Sequence, residues 1–181
     1  MRFTFVDRIL DLQPGVKITT VKTLTLGEEY LADHFPRFPV MPGVLMLQAL
    51  TEAGAWLVRA SENFAHSIVT LKEAKNVRFA DFVQPGRVLT VTAEIIRSSP
   101  EEVQLKAQGQ LTDRPAVGGR LILERYNLAD KRPELAASDS YLRRQMEQHF
   151  SIIYQPLPPT APDDVTLVAG ADGVRAGQGK A

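Results

Sequence analysis

The stretch His34-Phe35-Pro36-Arg37-Phe38-Pro39-Val40-Met41-Pro42-Gly43-Val44-Leu45 places an imidazole at the head of a proline-rich loop. Proline locks its own φ and restricts the residue before it, so this loop is stiff and holds His34 in a fixed place. Pro42 suits a helix start, where its missing N–H costs nothing. The amides just beyond it, including those of Gly43 and Val44, lack intrahelical partners and carry the positive end of the helix dipole. Without a side chain at Gly43, a ligand carbonyl can approach those donors closely. A base beside carbonyl-directed donors suits proton abstraction next to a thioester carbonyl.

The helix that starts at Pro42 should run to about Ala60. It is apolar almost all round, yet Gln48, Thr51, Glu52 and Arg59 fall close to one stripe. Such a stripe faces a cavity or reaches solvent at one edge, and the adjoining histidine loop favours the cavity. Glu52 is open to three readings: an acid, a partner for Arg59 or another basic group, or a carboxylate at the helix edge. Phe35, Phe38 and Met46 read as tunnel wall or core. His66 and His149 lie among polar neighbours and read as surface residues.

Composition narrows the chemistry. The chain has 181 residues, with Lys plus Arg and Asp plus Glu both at 21, so the formal charge is zero and neither a nucleic-acid-binding face nor an acidic tail is favoured. There is no Cys, which excludes disulfides, iron–sulfur clusters and a thiol nucleophile. The 3 His are scattered without metal-ligand spacing, so no metal and no cofactor are expected. The N-terminus carries Asp7 where a signal peptide needs its apolar core, which points to a cytoplasmic protein. Val40 to Val58 is apolar but holds Pro42, Gly43, Gln48, Thr51, Glu52 and Gly54 and has no interfacial belt. It reads as a buried helix, with no membrane span.

The elements that must hold this site follow from periodicity. Phe5 to Leu10 reads as extended, Pro14-Gly15 as a turn, Lys17 to Leu26 as a strand, and Gly27 to Asp33 as a helical turn. After the helix, Ile68 to Phe82 reads as a strand with a bulge. Alternating runs from Leu89 to Ile95 and from Val103 to Leu111 read as half-buried antiparallel strands. Gly118-Gly119 reads as a hairpin turn, opening a last strand to Asn127. One sheet curled round one helix buries all these faces, an α+β architecture. The all-round apolar helix predicts a dimer in which a second sheet completes its cover. Leu135, Leu142, Met146, Phe150 and Ile153 mark an amphipathic helix over about 134–155, a sheet cover or, less favoured, a partner-docking element. From Pro156 onward 4 Pro and 4 Gly in 26 residues predict a disordered tail. The expected division is 1–128, 129–155 and 156–181.

The segment from His34 to Leu50 resembles the signature of the 3-hydroxyacyl-acyl-carrier-protein dehydratases of FabZ type, in the pattern H-F-P-x-x-P-x-x-P-G-V-L. Phe5 to Leu10 with Pro14-Gly15, and Lys75 to Phe82 with Pro85-Gly86, extend the likeness over about residues 3–128. The resemblance implies a hotdog fold and a homodimer with two composite sites, possible in a trimer of dimers. It implies acyl chains carried by acyl carrier protein or coenzyme A as substrates. His34 takes the C2 proton, the amides at Gly43 and Val44 polarise the thioester carbonyl, and Phe35, Pro42 and Leu47 belong to the substrate tunnel. The family's acid lies fourteen residues after its histidine, on the helix of the other subunit, and helps the 3-hydroxyl leave as water. Here that position is Gln48, a poor proton donor; Glu52 stands one helical turn later, where the family often has Gln. Three activities therefore compete: dehydration of 3-hydroxyacyl thioesters in fatty acid or related lipid synthesis, thioester hydrolysis with water held by Gln48 and Glu52, or a non-catalytic carrier-binding subunit completed by a Glu-bearing paralogue in a heterodimer.

Overall fold

The structure, a computed structural model, describes residues 4–155 apart from residue 113. The tail expected from Pro156 onward lies outside the described residues. Six strands form one antiparallel sheet: β1 (Arg8–Gln13), β2 (Lys17–Thr23), β3 (Ile68–Phe79), β4 (Val88–Ser98), β5 (Glu102–Gln110) and β6 (Pro115–Tyr126). Their spatial order is β1-β2-β4-β5-β6-β3. The strand after the long helix thus does not join the meander β4-β5-β6 in sequence order; it crosses to the far edge and pairs with β6.

The long helix α1 (Gly43–Ser61) lies in the concave face and touches β2 to β6. The sheet presents Ile18, Leu89, Val91, Ala93, Val103, Leu105, Leu121 and Leu123 to it, all essentially solvent-free. The period-two pattern read from the sequence places these residues on one face. At Gly54 the helix comes so close to β5 that a Cβ would stand 2.8 Å from Leu105 Cδ1, so glycine sets the helix–sheet distance there. Lys22 faces inward from β2 and stays charged by pairing with Asp7 at 3.3 Å and Glu28 at 2.9 Å.

Gly118 and Gly119 are not a hairpin turn. They lie inside β6, paired with Gln108 and Ala107 of β5, and the strand begins earlier, at Pro115. β3 is irregular opposite them, between Lys75 and Arg78. A side chain at Gly119 would meet the Lys75 carbonyl at 3.3 Å and Val77 Cγ2 at 3.2 Å. The glycine answers a close backbone approach at a bulge, a role that a Gly-Gly pair also signals.

A second helix, α2 (Ala136–Ile153), packs against the C-terminal half of α1 and the turn that follows it. Ile153 joins the main core, and Phe150 meets Trp56, Phe64 and Tyr154 at ring distances of 6.1, 5.4 and 5.2 Å. Its N-terminal turn is anchored by the buried Asp139, which accepts hydrogen bonds from Ser67 and from the Leu128 and Ala129 amides. Burial pushes the Asp139 carboxyl up, but these donors outweigh it and hold it below the usual aspartate range. A single chain therefore covers much of the C-terminal half of α1 with its own helix.

Candidate active site

His34 sits where the proline loop approaches the N-terminus of α1. Its Nδ1 lies 3.0 Å from the Val40 carbonyl. A carbonyl only accepts, so Nδ1 carries the proton and Nε2 is left with its lone pair. The loop is pinned around this contact. Val40 N donates to the His34 carbonyl at 3.1 Å, Phe35 and Phe38 exchange amide bonds at 3.2 and 2.9 Å, and Met41 N donates to Val83 at 2.8 Å. The Phe35 ring stacks on the imidazole with centroids 4.3 Å apart.

The first donors of the α1 ladder are Leu45 and Met46, both to the Pro42 carbonyl. The Gly43 and Val44 amides precede that ladder, in the strongest part of the dipole field. His34, Phe35, Val40, Met41, Gly43, Met46, Phe79 and Phe82 surround one open cavity of about 440 Å³. On the Cβ side of Gly43 the expected space is occupied by the Phe79 ring, 3.2 Å from where a Cβ would be, which leaves the ligand only the side of the amide N–H. Phe79 was not legible as a site residue, because nothing in its strand pattern says which ring folds over a helix end. Val44 is 71% exposed and Phe82 58%, and Phe35, Phe38 and Phe79 are about half exposed, so the mouth of this cavity is an apolar, unpartnered surface.

The polar stripe of α1 faces a second cavity. Gln48, Thr51, Glu52 and Arg59 line about 270 Å³ together with Thr4, Trp56, Thr70, Met146 and His149. Gln48 Nε2 donates to Glu52 Oε1 at 3.3 Å, and the Phe5 amide donates to Glu52 Oε2 at 2.9 Å. Burial pushes the Glu52 carboxyl above the usual glutamate range, against the pull of those two donors and of Lys22 and Arg59. His149 is not a plain surface residue: its ring stacks on Trp56 at 5.5 Å and it walls this cavity. Its polar sequence neighbours hid this, since helix position rather than local composition turns it inward. His66 pairs with Glu62 at 3.0 Å, one turn away from the end of α1.

Within one chain, then, His34, Phe35 and Gly43 share one cavity, and Gln48 and Glu52 share another. Pro42 and Leu47 line neither: Pro42 supplies the first helix acceptor, and Leu47 packs on the core and accepts from Thr51 Oγ1 at 3.0 Å. Among the described residues no three His, Asp or Glu side chains cluster as a metal site, and no helix is long and apolar enough to cross a membrane.

A six-stranded antiparallel sheet wrapped on one helix, with a histidine at the helix start, defines a hotdog fold. A family model described as a FabA-like domain matches residues 1–124, and the chain belongs to that family. It is 35% identical over 112 residues to the 3-hydroxyacyl-[acyl-carrier-protein] dehydratase FabZ of Lactiplantibacillus plantarum, covering 62% of this chain and 76% of that protein. It is 32% identical over 119 residues to the FabZ of Ruminiclostridium cellulolyticum, covering 66% and 84%. Among solved structures, the dehydratase heterocomplex ApeI:P from Xenorhabdus doucetiae superposes with a TM-score of 0.59 at 14% identity, over 74% of this chain and 90% of that one. An HP0420 homologue from Helicobacter felis superposes with a TM-score of 0.53 at 12% identity, over 67% and 79%. At these identities the structures speak for the fold alone.

Proposed function

We propose that the protein dehydrates 3-hydroxyacyl thioesters borne by acyl carrier protein to trans-2-enoyl thioesters, in fatty acid or related lipid synthesis. The observation that carries this reading is the fixed tautomer of His34 beside the first-turn amides of α1. The imidazole Nε2 takes the C2 proton while the Gly43 and Val44 amides stabilise charge on the thioester oxygen. The C3–O bond then breaks, the C2–C3 double bond forms, and the hydroxyl leaves as water with a proton from an acid. Glu52 is the acid: its burial favours the protonated carboxyl, and Gln48, hydrogen-bonded to it, orients the hydroxyl. Solvent returns the proton from His34 to Glu52 between turnovers. FabZ relatives at 32 to 35% identity, named as dehydratases, support this reaction class.

His34 and the Gln48–Glu52 pair line different cavities, so the complete site takes each from a different subunit of a dimer. The exposed apolar rim around Phe35, Val44 and Phe82 and the edge strand β3, whose one strand neighbour among the described residues is β6, supply the surface for the second copy. A dimer in the cytoplasm is the form in which we expect it to act, and assembly into a trimer of dimers is compatible with that interface. Gln48 at the family's acid position favours one further reading: a half-active subunit whose acid comes from a Glu-bearing paralogue. Incubation with a 3-hydroxyacyl-carrier thioester, scoring enoyl product and free thiol separately, tests both. Enoyl formation by the chain alone supports the proposal; thiol release alone makes it a thioesterase, and no product without a paralogue makes it the subunit.

A further inference from the structure

The cavity beyond Gln48 and Glu52 has no role in the chemistry itself. It runs along α1 from Glu52 past Ala55 and Trp56 to Arg59, seven residues and about 10 Å of helix axis. Met146 and His149 of α2 form part of its wall. An acyl chain whose C3 hydroxyl meets Gln48 and Glu52 has its remaining carbons directed into this space or out of the protein. The walls are unsuited to a long alkyl chain. Ala55, Trp56, Val69, Leu71 and Met146 can meet a few methylenes, but Thr51, Glu52, Arg59, Thr70 and His149 are polar or ionisable, and a long alkyl chain against them leaves donors and acceptors unmet.

Arg59 is the strongest feature. Its Nε is buried and makes no hydrogen bond within the protein, and one terminal nitrogen reaches the Val69 carbonyl only at 3.5 Å. Its guanidinium lies over the Trp56 ring, 5.6 Å from the centroid. Burial pulls its pKa down to about 10 against the attraction of Glu52, so the cation persists at neutral pH and is offset by that carboxylate only through space. Helix side chains lean toward the N-terminus, which points Arg59 back along the stripe toward Glu52 and shortens the gap. A buried, planar, incompletely used fork of donors is matched best by a carboxylate.

Resting on the dehydratase reading above, we propose that this cavity receives the distal end of the acyl group and selects a short chain ending in a carboxylate, with Arg59 as the recognising cation and α2 as part of the wall. The site would then discriminate by the end of the chain remote from the reaction, and α2, which begins beyond residue 124 where the family match stops, is the element that makes it short.

The test is binding of unreactive pantetheine amides, independent of turnover. The probes are the 3-hydroxyadipyl, 3-hydroxyhexanoyl and 3-hydroxymyristoyl amides, titrated calorimetrically into the full-length protein. The 3-hydroxyadipyl probe should bind about tenfold or more tighter than the 3-hydroxyhexanoyl probe, the usual value of a charge-assisted hydrogen bond, and the 3-hydroxymyristoyl probe weakest. Arg59→Met should abolish the preference and Arg59→Lys should retain part of it. Equal affinities, tighter binding of the long chain, or no binding of any probe overturns the proposal; the wild-type comparison decides this even if Arg59→Met does not fold. A protein that dehydrates 3-hydroxyacyl carrier thioesters but shows no adipyl preference loses only this inference. One that dehydrates none of them loses the dehydratase reading.

Discussion

At its N-terminal end α1 meets His34, Phe35 and Phe79 around an open cavity of about 440 Å³, whereas toward its C-terminal end it meets α2 around one of about 270 Å³ walled by Glu52, Arg59 and His149. The first end is apolar, rimmed by exposed aromatics and unfinished in one chain. The second mixes polar and apolar side chains, and the chain's own α2 supplies part of its wall. The family match covers the first end and stops before α2. On the proposed reading the difference separates two jobs: the shared half of the molecule would supply a base and a carbonyl-polarising helix start, and the appended α2 would shape what lies beyond the reacting carbons.

The largest effect should come from the open end. His34→Ala should lower dehydration by about 10²–10⁴-fold, the range for loss of a positioned acid or base. The melting temperature should hardly move, because the prolines and backbone bonds of the loop, rather than the imidazole, pin it. Turnover of the enoyl product measured on a folded variant checks this, and retained activity removes His34 from the mechanism.

At the boundary between the two ends, Glu52→Gln should lower dehydration by about 10²-fold or more. Gln48→Glu should do little or harm, since two adjacent carboxylates repel and share a proton. A gain of activity in Gln48→Glu would instead make Gln48 an impairment and Glu52 a bystander.

The closed end should respond to acid before the open one. Asp139 is held below its ordinary pKa, so its contribution is fully present above the unfolded aspartate value of about 4 and is lost as pH falls through the lower folded value. The chain has 1 Trp, and Trp56 packs against His149 and Phe150 of α2. Its fluorescence should therefore report loosening of α2 on acidification, and Asp139→Ala should bring that change to neutral pH. Fluorescence that follows far-ultraviolet circular dichroism throughout would show that α2 does not loosen separately.

Much of this division was legible in the residues. The period-two runs of β4 and β5 and the apolar α1 place the sheet and helix, and the His34–Gly43 spacing places an imidazole beside the helix start, because these are local patterns with a physical cause. The polar stripe of Gln48, Thr51, Glu52 and Arg59 was visible as helical spacing, and it does line a cavity. The part of its wall that comes from α2 was not visible. Met146 and His149 reach it through tertiary packing of α2, and composition around His149 pointed to solvent instead. Gly118-Gly119 carried a turn signal, but its glycines meet the bulged β3 strand, a contact about forty residues away along the chain that no short window contains.

The smallest expected effect is on stability. Burial raises the folded pKa of Glu52, so between its unfolded and folded values the native protein holds the extra proton, and stability falls as pH rises through that window. Wild type carries that penalty on the alkaline side of the window, where the buried carboxyl must ionise. Glu52→Gln keeps an acceptor for the Phe5 amide and loses the charge, so its melting temperature should exceed that of wild type at pH 7, with the gap closing as pH falls. A melting temperature below wild type at pH 7 would mean that the carboxylate is net stabilising there.

The central claim is that base and acid come from different copies of the chain. His34→Ala and Glu52→Gln proteins, each inactive alone, should regain a sizeable fraction of wild-type dehydration when unfolded together and refolded as mixed dimers, because one of the two sites in each mixed dimer keeps both groups. Mixed dimers verified by mass but without enoyl formation would contradict the account.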